Sequence, residues 1–284
     1  MKPDHGNGVT LNLRRNHSKA EHFNHFPLKH FAGIVADCMG IALPESFAPG
    51  ISWVSDILKA RLGGTADRAV LYHADAVGQY IWQQYTDLLA PVYMHTSMEI
   101  PFLSTVLSVT PVAHASMYTG LDPDGHGIHT YVRPKLSCTT LYDVLLALGR
   151  KVAIVAQQDS TFLHIFAERE MDYFECVNAV EVQQKSLQLI ESDKYDLISI
   201  HTFDYDNAAH AYGPESKEGL NAIALEAEGF HRLAAALEKT RGQHRTLLTY
   251  SPDHGQHPIP GGRGAHGDTS NEDMNILHFF GTIA

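Results

Sequence analysis

Asp206 and His210 lie four residues apart. That spacing sets a carboxylate and an imidazole on one face of a helical turn, where both could reach one metal ion. The Gly213-Pro214 pair then turns the chain. The same spacing also arises from a local Asp–His hydrogen bond or from two exposed side chains. Asp253-His254-Gly255 offers a second such pair. Neighbouring residues usually point apart, but on a tight turn both can face one ion, and Gly255 permits the close approach or positive φ this needs. A plain polar turn is the competing reading. Asp75 ends an apolar run, where it is either a ligand or the cap of the next helix. His266 sits in Gly264-Ala-His-Gly267, a poor packing environment, as a ligand or as a solvent-facing loop histidine. Thr110 precedes Pro111, a residue suited to the first position of a helix. Its hydroxyl then lies where free N–H groups and the helix dipole favour a phosphate. A threonine hydroxyl is a weak nucleophile at neutral pH, and metal coordination activates it. A simple helix cap is the alternative.

These residues must be carried by elements. The pattern predicts helices over 28–43 and 52–62, the second capped by Ser52 and ended by Gly63-Gly64. A strand over 69–73 is followed by a helix over 78–89. The β-rich run 104–109 reads as a strand leading into a helix at Thr110. Further helices are predicted over 139–148, 180–192 and 220–239, and further strands over 152–156, 196–201, 246–250 and 276–280. Strands alternating with helices imply an α/β fold, a mostly parallel central sheet with helices on both faces. Chemistry in such sheets collects past the carboxyl ends of the strands, which is where Asp75, Thr110, Asp206, Asp253-His254 and His266 fall. Residues 1–65 read as an N-terminal helical extension packing on a catalytic domain of 66–284, with 1 to about 20 loose.

The bulk properties limit the partners. The chain has 284 residues, 44% hydrophobic and 19% charged, as in an ordinary globular protein. A net charge of −11 argues against wrapping a nucleic-acid polymer or an anionic membrane. A small anionic substrate stays open, because bound metals reverse the sign locally. The 19 histidines against 21 lysines and arginines hint at metal chemistry, although most belong on the surface. Cys38, Cys138 and Cys176 are scattered and odd in number, which fits a reducing compartment. The polar start lacks a signal-peptide core, and Phe31 to Leu43 is too short to span a bilayer. The expectation is a cytoplasmic protein, compatible with a homo-oligomer.

Together the motifs resemble the alkaline phosphatase superfamily, and most closely its type I phosphodiesterase and nucleotide pyrophosphatase branch. Thr110 to Ile128 is similar to the family's nucleophile segment, with its Thr-Gly-Leu-x-Pro-x-x-His-Gly-Ile run. Asp206 to Pro214 resembles Asp-x-x-x-His-x-x-Gly-Pro. Ser251 to Gly255 resembles Ser-Asp-His-Gly, and Gly264-Ala-His266-Gly267 the last ligand loop. The resemblance implies an alkaline-phosphatase-like three-layer sandwich and two divalent metals, zinc or alternatively manganese. One metal would be held by Asp206, His210 and His266, the other by Asp75, Asp253, His254 and the Thr110 oxygen. Thr110 would attack phosphorus, making the protein a hydrolase of phosphate mono- or diesters. Three positions depart from the family. Ala113 replaces an Asn that donates to a phosphate oxygen, a role open here to the Thr110 N–H or His114. Pro252 interrupts Ser-Asp-His, and Ala76 follows Asp75 in place of Gly. The Ala113 departure motivates a phosphotransferase or phosphonate-cleaving alternative on the same site. The unmatched N-terminus motivates a non-catalytic metal-binding member. His126, His201, His257 and His278 read as structural, with His201 a candidate support behind a ligand. Arg133 and Lys135 read as a solvated pair that could steer an anion.

Overall fold

The computed structural model describes residues 22–284. The loose segment expected before them lies outside the described residues. Eight strands form one sheet: β1 (Phe26–Pro27), β2 (Arg68–Ala74), β3 (Met98–Leu103), β4 (Val152–Gln157), β5 (Asp172–Cys176), β6 (Leu197–Thr202), β7 (Thr246–Tyr250) and, last in the chain, β10 (Asn275–Ile283). β8 (His257–Ile259) and β9 (Arg263–Ala265) make a separate antiparallel hairpin. The sheet order is β1-β3-β10-β7-β2-β6-β4-β5. All neighbours are parallel except β10, which runs antiparallel to both β3 and β7.

The central strands β2, β4, β6 and β7 are buried at every position, as parallel strands covered on both faces must be. Alternate residues feed two cores. Ala69, Leu71 and Leu197 join one, with helices Phe31–Met39, Ser52–Leu62, Thr110–Thr119, Leu141–Ala147 and Thr161–Phe166. Val70, Tyr72 and Ile198 join the other, with helices Gln79–Gln84, Ala179–Ser192 and Lys217–Glu238. The result is the helix–sheet–helix sandwich expected from the alternation of elements. Both helices of the expected N-terminal extension pack into the first core.

Three local expectations are corrected. The β-rich run 104–109 is not a strand; β3 ends at Leu103, level with Asn275, the first residue of β10. Its polar groups instead bind site loops: the Ser104 hydroxyl donates to the Asp253 carbonyl at 2.6 Å and the Ser108 hydroxyl to the Asp268 carbonyl at 2.9 Å. Ser52 is inside its helix rather than capping it, with Ile51 at the cap. The helix predicted over 78–89 breaks at Tyr85 into an α-helix and a 3-10 turn. The short helix Thr161–Phe166 and strand β5 carry no clear period in the sequence and were not anticipated.

Candidate functional site

Adjacent parallel strands bring the acidic residues together. β7, β2 and β6 lie side by side. Past their carboxyl ends follow Asp253, Asp75 and Asp206 respectively. Asp206 and His210 occupy helix Asp204–Tyr212, so the expected one-face geometry is realised. His266 directly follows β9, and the loop after β3 delivers Thr110 to the start of helix Thr110–Thr119.

Two ligand-like groups result. Asp206, His210 and His266 converge in one, and Asp75, Asp253 and His254 in the other. In the first, Asp206 Oδ1 lies 3.4 Å from His210 Nε2 and 3.5 Å from His266 Nε2. In the second, His254 Nε2 lies 3.4 Å from Asp75 Oδ1 and 3.4 Å from Asp253 Oδ2. The rings of His254 and His266 stack at 4.1 Å, so the groups adjoin. The Thr110 hydroxyl donates to Asp75 Oδ2 at 3.4 Å and stands 3.4 Å from His254 Nε2. All seven residues singled out from sequence thus occupy one place.

The donor set suits divalent cations. Each of the three imidazoles turns Nδ1 toward a backbone carbonyl: His210 toward Gly264 at 3.1 Å, His254 toward Gly255 at 3.0 Å, His266 toward Ser108 at 3.0 Å. Donation from Nδ1–H leaves the Nε2 lone pair facing the carboxylates, the tautomer a metal requires. Asp75 Oδ1 and Asp253 Oδ2 are buried without hydrogen-bond partners. Burial raises the Asp75 carboxyl well above its ordinary value, with Asp253 and Asp206 adding to the rise. Burial likewise lifts Asp253 to about 7 and raises Asp206. Burial lowers His254 and His266 to about 3. Crowded buried carboxylates beside neutral imidazoles are costly without a cation and favourable with one.

Local chain geometry explains the fit. Gly255 is needed for close approach: a Cβ there would collide with the Glu272 carbonyl oxygen. Ala76 sits at φ 66°, in the left-handed region that favours the glycine its place would suggest. Its N–H donates to Asp253 Oδ1 at 3.2 Å, tying the Asp75 and Asp253 turns together. Pro252 is accommodated, its carbonyl lying 2.7 Å from His278 Nε2.

Further residues surround the site, and the sequence did not show their contacts. Gln256 donates its side-chain amide to Asp206 Oδ1 and to the Asp206 carbonyl. His257, which has no spacing partner, pairs with Asp273 at 2.8 Å. With Asp268 these form a third cluster, in which Asp273 also accepts from the Asp268 N–H at 3.1 Å. His126 shapes its turn as expected, accepting from the Ile128 N–H and meeting Ser116 Oγ at 3.0 Å. His114 is fully buried, with Nε2 3.5 Å from Asp253 Oδ2. A cleft of about 470 Å³ opens over Thr110, Asp75 and Asp206, with Arg133 and Asn207 also on its walls; His114 is not among its lining residues.

The fold defines the class: an α/β sandwich of the alkaline phosphatase kind. The chain superposes on murine ectonucleotide pyrophosphatase / phosphodiesterase 5 with TM-score 0.55 and 14% identity, over 68% of this chain and 58% of that one. It superposes on the C-terminal periplasmic domain of phosphoethanolamine transferase EptC from Campylobacter jejuni with TM-score 0.57 and 12% identity, over 76% and 80%. For the Escherichia coli EptC periplasmic domain, described as a complex with Zn, the values are 0.51, 14%, 78% and 74%. No curated protein matches the sequence. The chain thus spans about 58% of the murine phosphodiesterase it resembles. Residues 151–280 match the family model described as Type I phosphodiesterase / nucleotide pyrophosphatase, which bears out the resemblance read from the motifs. That segment holds Asp206, His210, Asp253, His254 and His266; Asp75 and Thr110 precede it.

Proposed function

We propose that this protein is a two-metal phosphoryl-transfer enzyme acting as a hydrolase of small phosphate mono- or diesters, with Thr110 as nucleophile. The observation that carries the reading is the placement of the Thr110 hydroxyl within 3.4 Å of Asp75 and of His254, beside a second ligand-like group. Asp206, His210 and His266 would hold one cation; Asp75, Asp253, His254 and Thr110 Oγ1 the other. Mixed oxygen and imidazole donors suit zinc, with manganese as the alternative. A bound cation supplies positive charge that lowers the pKa of the threonine hydroxyl and offsets charge on the phosphoryl group.

The chain's own residues do the positioning. Helix Thr110–Thr119 aims its N-terminus at the cleft. Pro111 has no N–H, and the Val112 and Ala113 N–H groups are taken by the Val109 carbonyl. The Thr110 N–H is left to donate to a phosphate oxygen, the role that Ala113 cannot fill and that buried His114 is not placed to fill. Thr110 Oγ1 attacks phosphorus in line with the departing ester oxygen, and water then releases the phosphate from threonine. The cleft volume suits a small molecule rather than a polymer.

The test combines elemental analysis of the purified protein with rates on bis-aryl and mono-aryl phosphates, with and without an acceptor alcohol. Bound divalent metal is expected, with release of the aryl alcohol from either ester, leaving a mono-aryl phosphate from the diester and phosphate from the monoester. A protein that takes up neither zinc nor manganese sinks the reading. Product formed mainly on the alcohol would favour a transferase, the activity named for the Campylobacter jejuni neighbour. Among the described residues no helix is long and apolar enough to cross a membrane. The three cysteines are unpaired and the two EptC neighbours are periplasmic domains, so the cytoplasmic setting expected from the sequence has no support from the comparisons.

A further inference from the structure

Two buried imidazoles stand behind the carboxylates without belonging to either ligand-like group. His201, in β6, is 1% exposed; its Nε2 lies 3.3 Å from Asp75 Oδ2. His114, in helix Thr110–Thr119, is 0% exposed; its Nε2 lies 3.5 Å from Asp253 Oδ2. Neither Nε2 is engaged in a hydrogen bond elsewhere, nor is His114 Nδ1, and the carboxylate oxygens are the polar atoms that the two Nε2 atoms face. A buried N–H must find an acceptor, and here the acceptor within reach is in each case a carboxylate oxygen.

The tautomer of His201 follows from its other side. The Phe162 N–H donates to Ser160 Oγ at 3.2 Å, so the Ser160 hydroxyl proton is free to point at His201 Nδ1, 3.1 Å away. Nδ1 then accepts, and Nε2 carries the proton toward Asp75. One side chain fixes both rings: Phe162 stacks on His201 at 5.2 Å and 3° and meets the His114 ring edge-on at 4.7 Å. The arrangement mirrors the ligand histidines. Those are held by carbonyls so that Nε2 can face a cation; His201 is held by Ser160 so that Nε2 donates to a carboxylate, while His114, with no partner on Nδ1, has the Asp253 carboxylate as the acceptor within its reach.

We propose that His201 and His114 are positioning residues, which orient the Asp75 and Asp253 carboxylates for a divalent cation, with Ser160 setting the His201 tautomer. The inference rests on the metal-site reading above. Supports of this kind change metal affinity by about tenfold to a hundredfold when removed.

Zinc affinity is the readout, measured by competition with a chromogenic chelator on full-length protein, beside the thermal midpoint of the metal-free form. His201→Phe and His114→Phe keep a flat ring and lose the donor. His201→Asn keeps a group near Nδ1 but none near Nε2, and serves if the Phe variant does not fold. His201→Gln and His114→Gln return an N–H near the Nε2 position. Phe and Asn variants should bind zinc about tenfold or more weakly, Gln variants within roughly threefold of wild type, and Ser160→Ala should show a smaller loss in the same direction. Wild-type affinity in the Phe and Asn variants, or equal losses in the Gln variants, overturns the inference alone. A wild-type protein that takes up neither zinc nor manganese overturns the metal reading and this inference with it.

Discussion

Thr110 has no structural duty that would explain its hydroxyl. It starts its helix but does not cap it, and its side-chain contacts are with Asp75 and His254. Thr110→Ala should therefore keep the fold, with a change in stability of about 1 kcal/mol or less, while turnover falls by roughly a thousandfold or more. Retention of near-wild-type phosphate release by this variant would remove Thr110 from the chemistry. The seven residues singled out were legible because each sat beside a recognisable spacing or turn. Of their supports only His201 was singled out, and its partners were not legible. Ser160 and His201 are 41 residues apart, and His257 and Asp273 are 16 apart. No local pattern joins them, because they meet only where separate loops pack.

At the scale of elements, turns decide how the candidate ligands are aimed. Gly255 lets the Asp253-His254 turn lie against the backbone at Glu272. Gly255→Ala should cost about 3 kcal/mol or more in urea unfolding and lower metal content, because the backbone neighbour cannot yield as a flexible side chain would. The segment before β10 is a second such device. Asp273 is fully buried, accepts from His257 and from the Asp268 N–H, and its carbonyl accepts from the Gly255 N–H at 2.8 Å. It thereby joins the turn bearing His254 to the loop bearing His266. Asp273→Ala should cost about 2–3 kcal/mol and weaken zinc binding, since it strands those donors; an unchanged midpoint in urea would refute this. The run 104–109 shows why such elements escape a sequence reading. Its residues favour a strand, but β10 begins level with Leu103 and leaves no ladder to extend. The loop spends its polar groups on Asp253, Asp268 and His266 instead.

For the molecule as a whole, metal and fold should be coupled through pH. Burial raises Asp253 to about 7 from an ordinary 3.8, and shifts Asp75 and Asp206 in the same direction. A folded pKa above the unfolded one means that the neutral carboxyl favours the metal-free fold at low pH. That contribution is lost as pH rises from about 4 through about 7. A cation competes with the same proton, so zinc should raise the thermal midpoint more at about pH 8 than at about pH 5.5. A zinc-induced shift that does not change with pH would contradict this. The sandwich itself was open to reading, because apolar runs such as Ala69 to Tyr72, Val152 to Ala156 and Thr246 to Tyr250 alternate with longer amphipathic stretches. So was the choice of candidate ligands, because residue type and short spacing are local properties. The order β7-β2-β6 was not, and it is what sets Asp253, Asp75 and Asp206 at neighbouring strand ends. Nor could the sequence separate a capping aspartate from a ligand at Asp75. That choice depends on burial and on residues up to 179 positions away, since His254 is what faces it. Chain order specifies which groups are available; only packing across the sheet decides which of them lose water together and so need a cation between them.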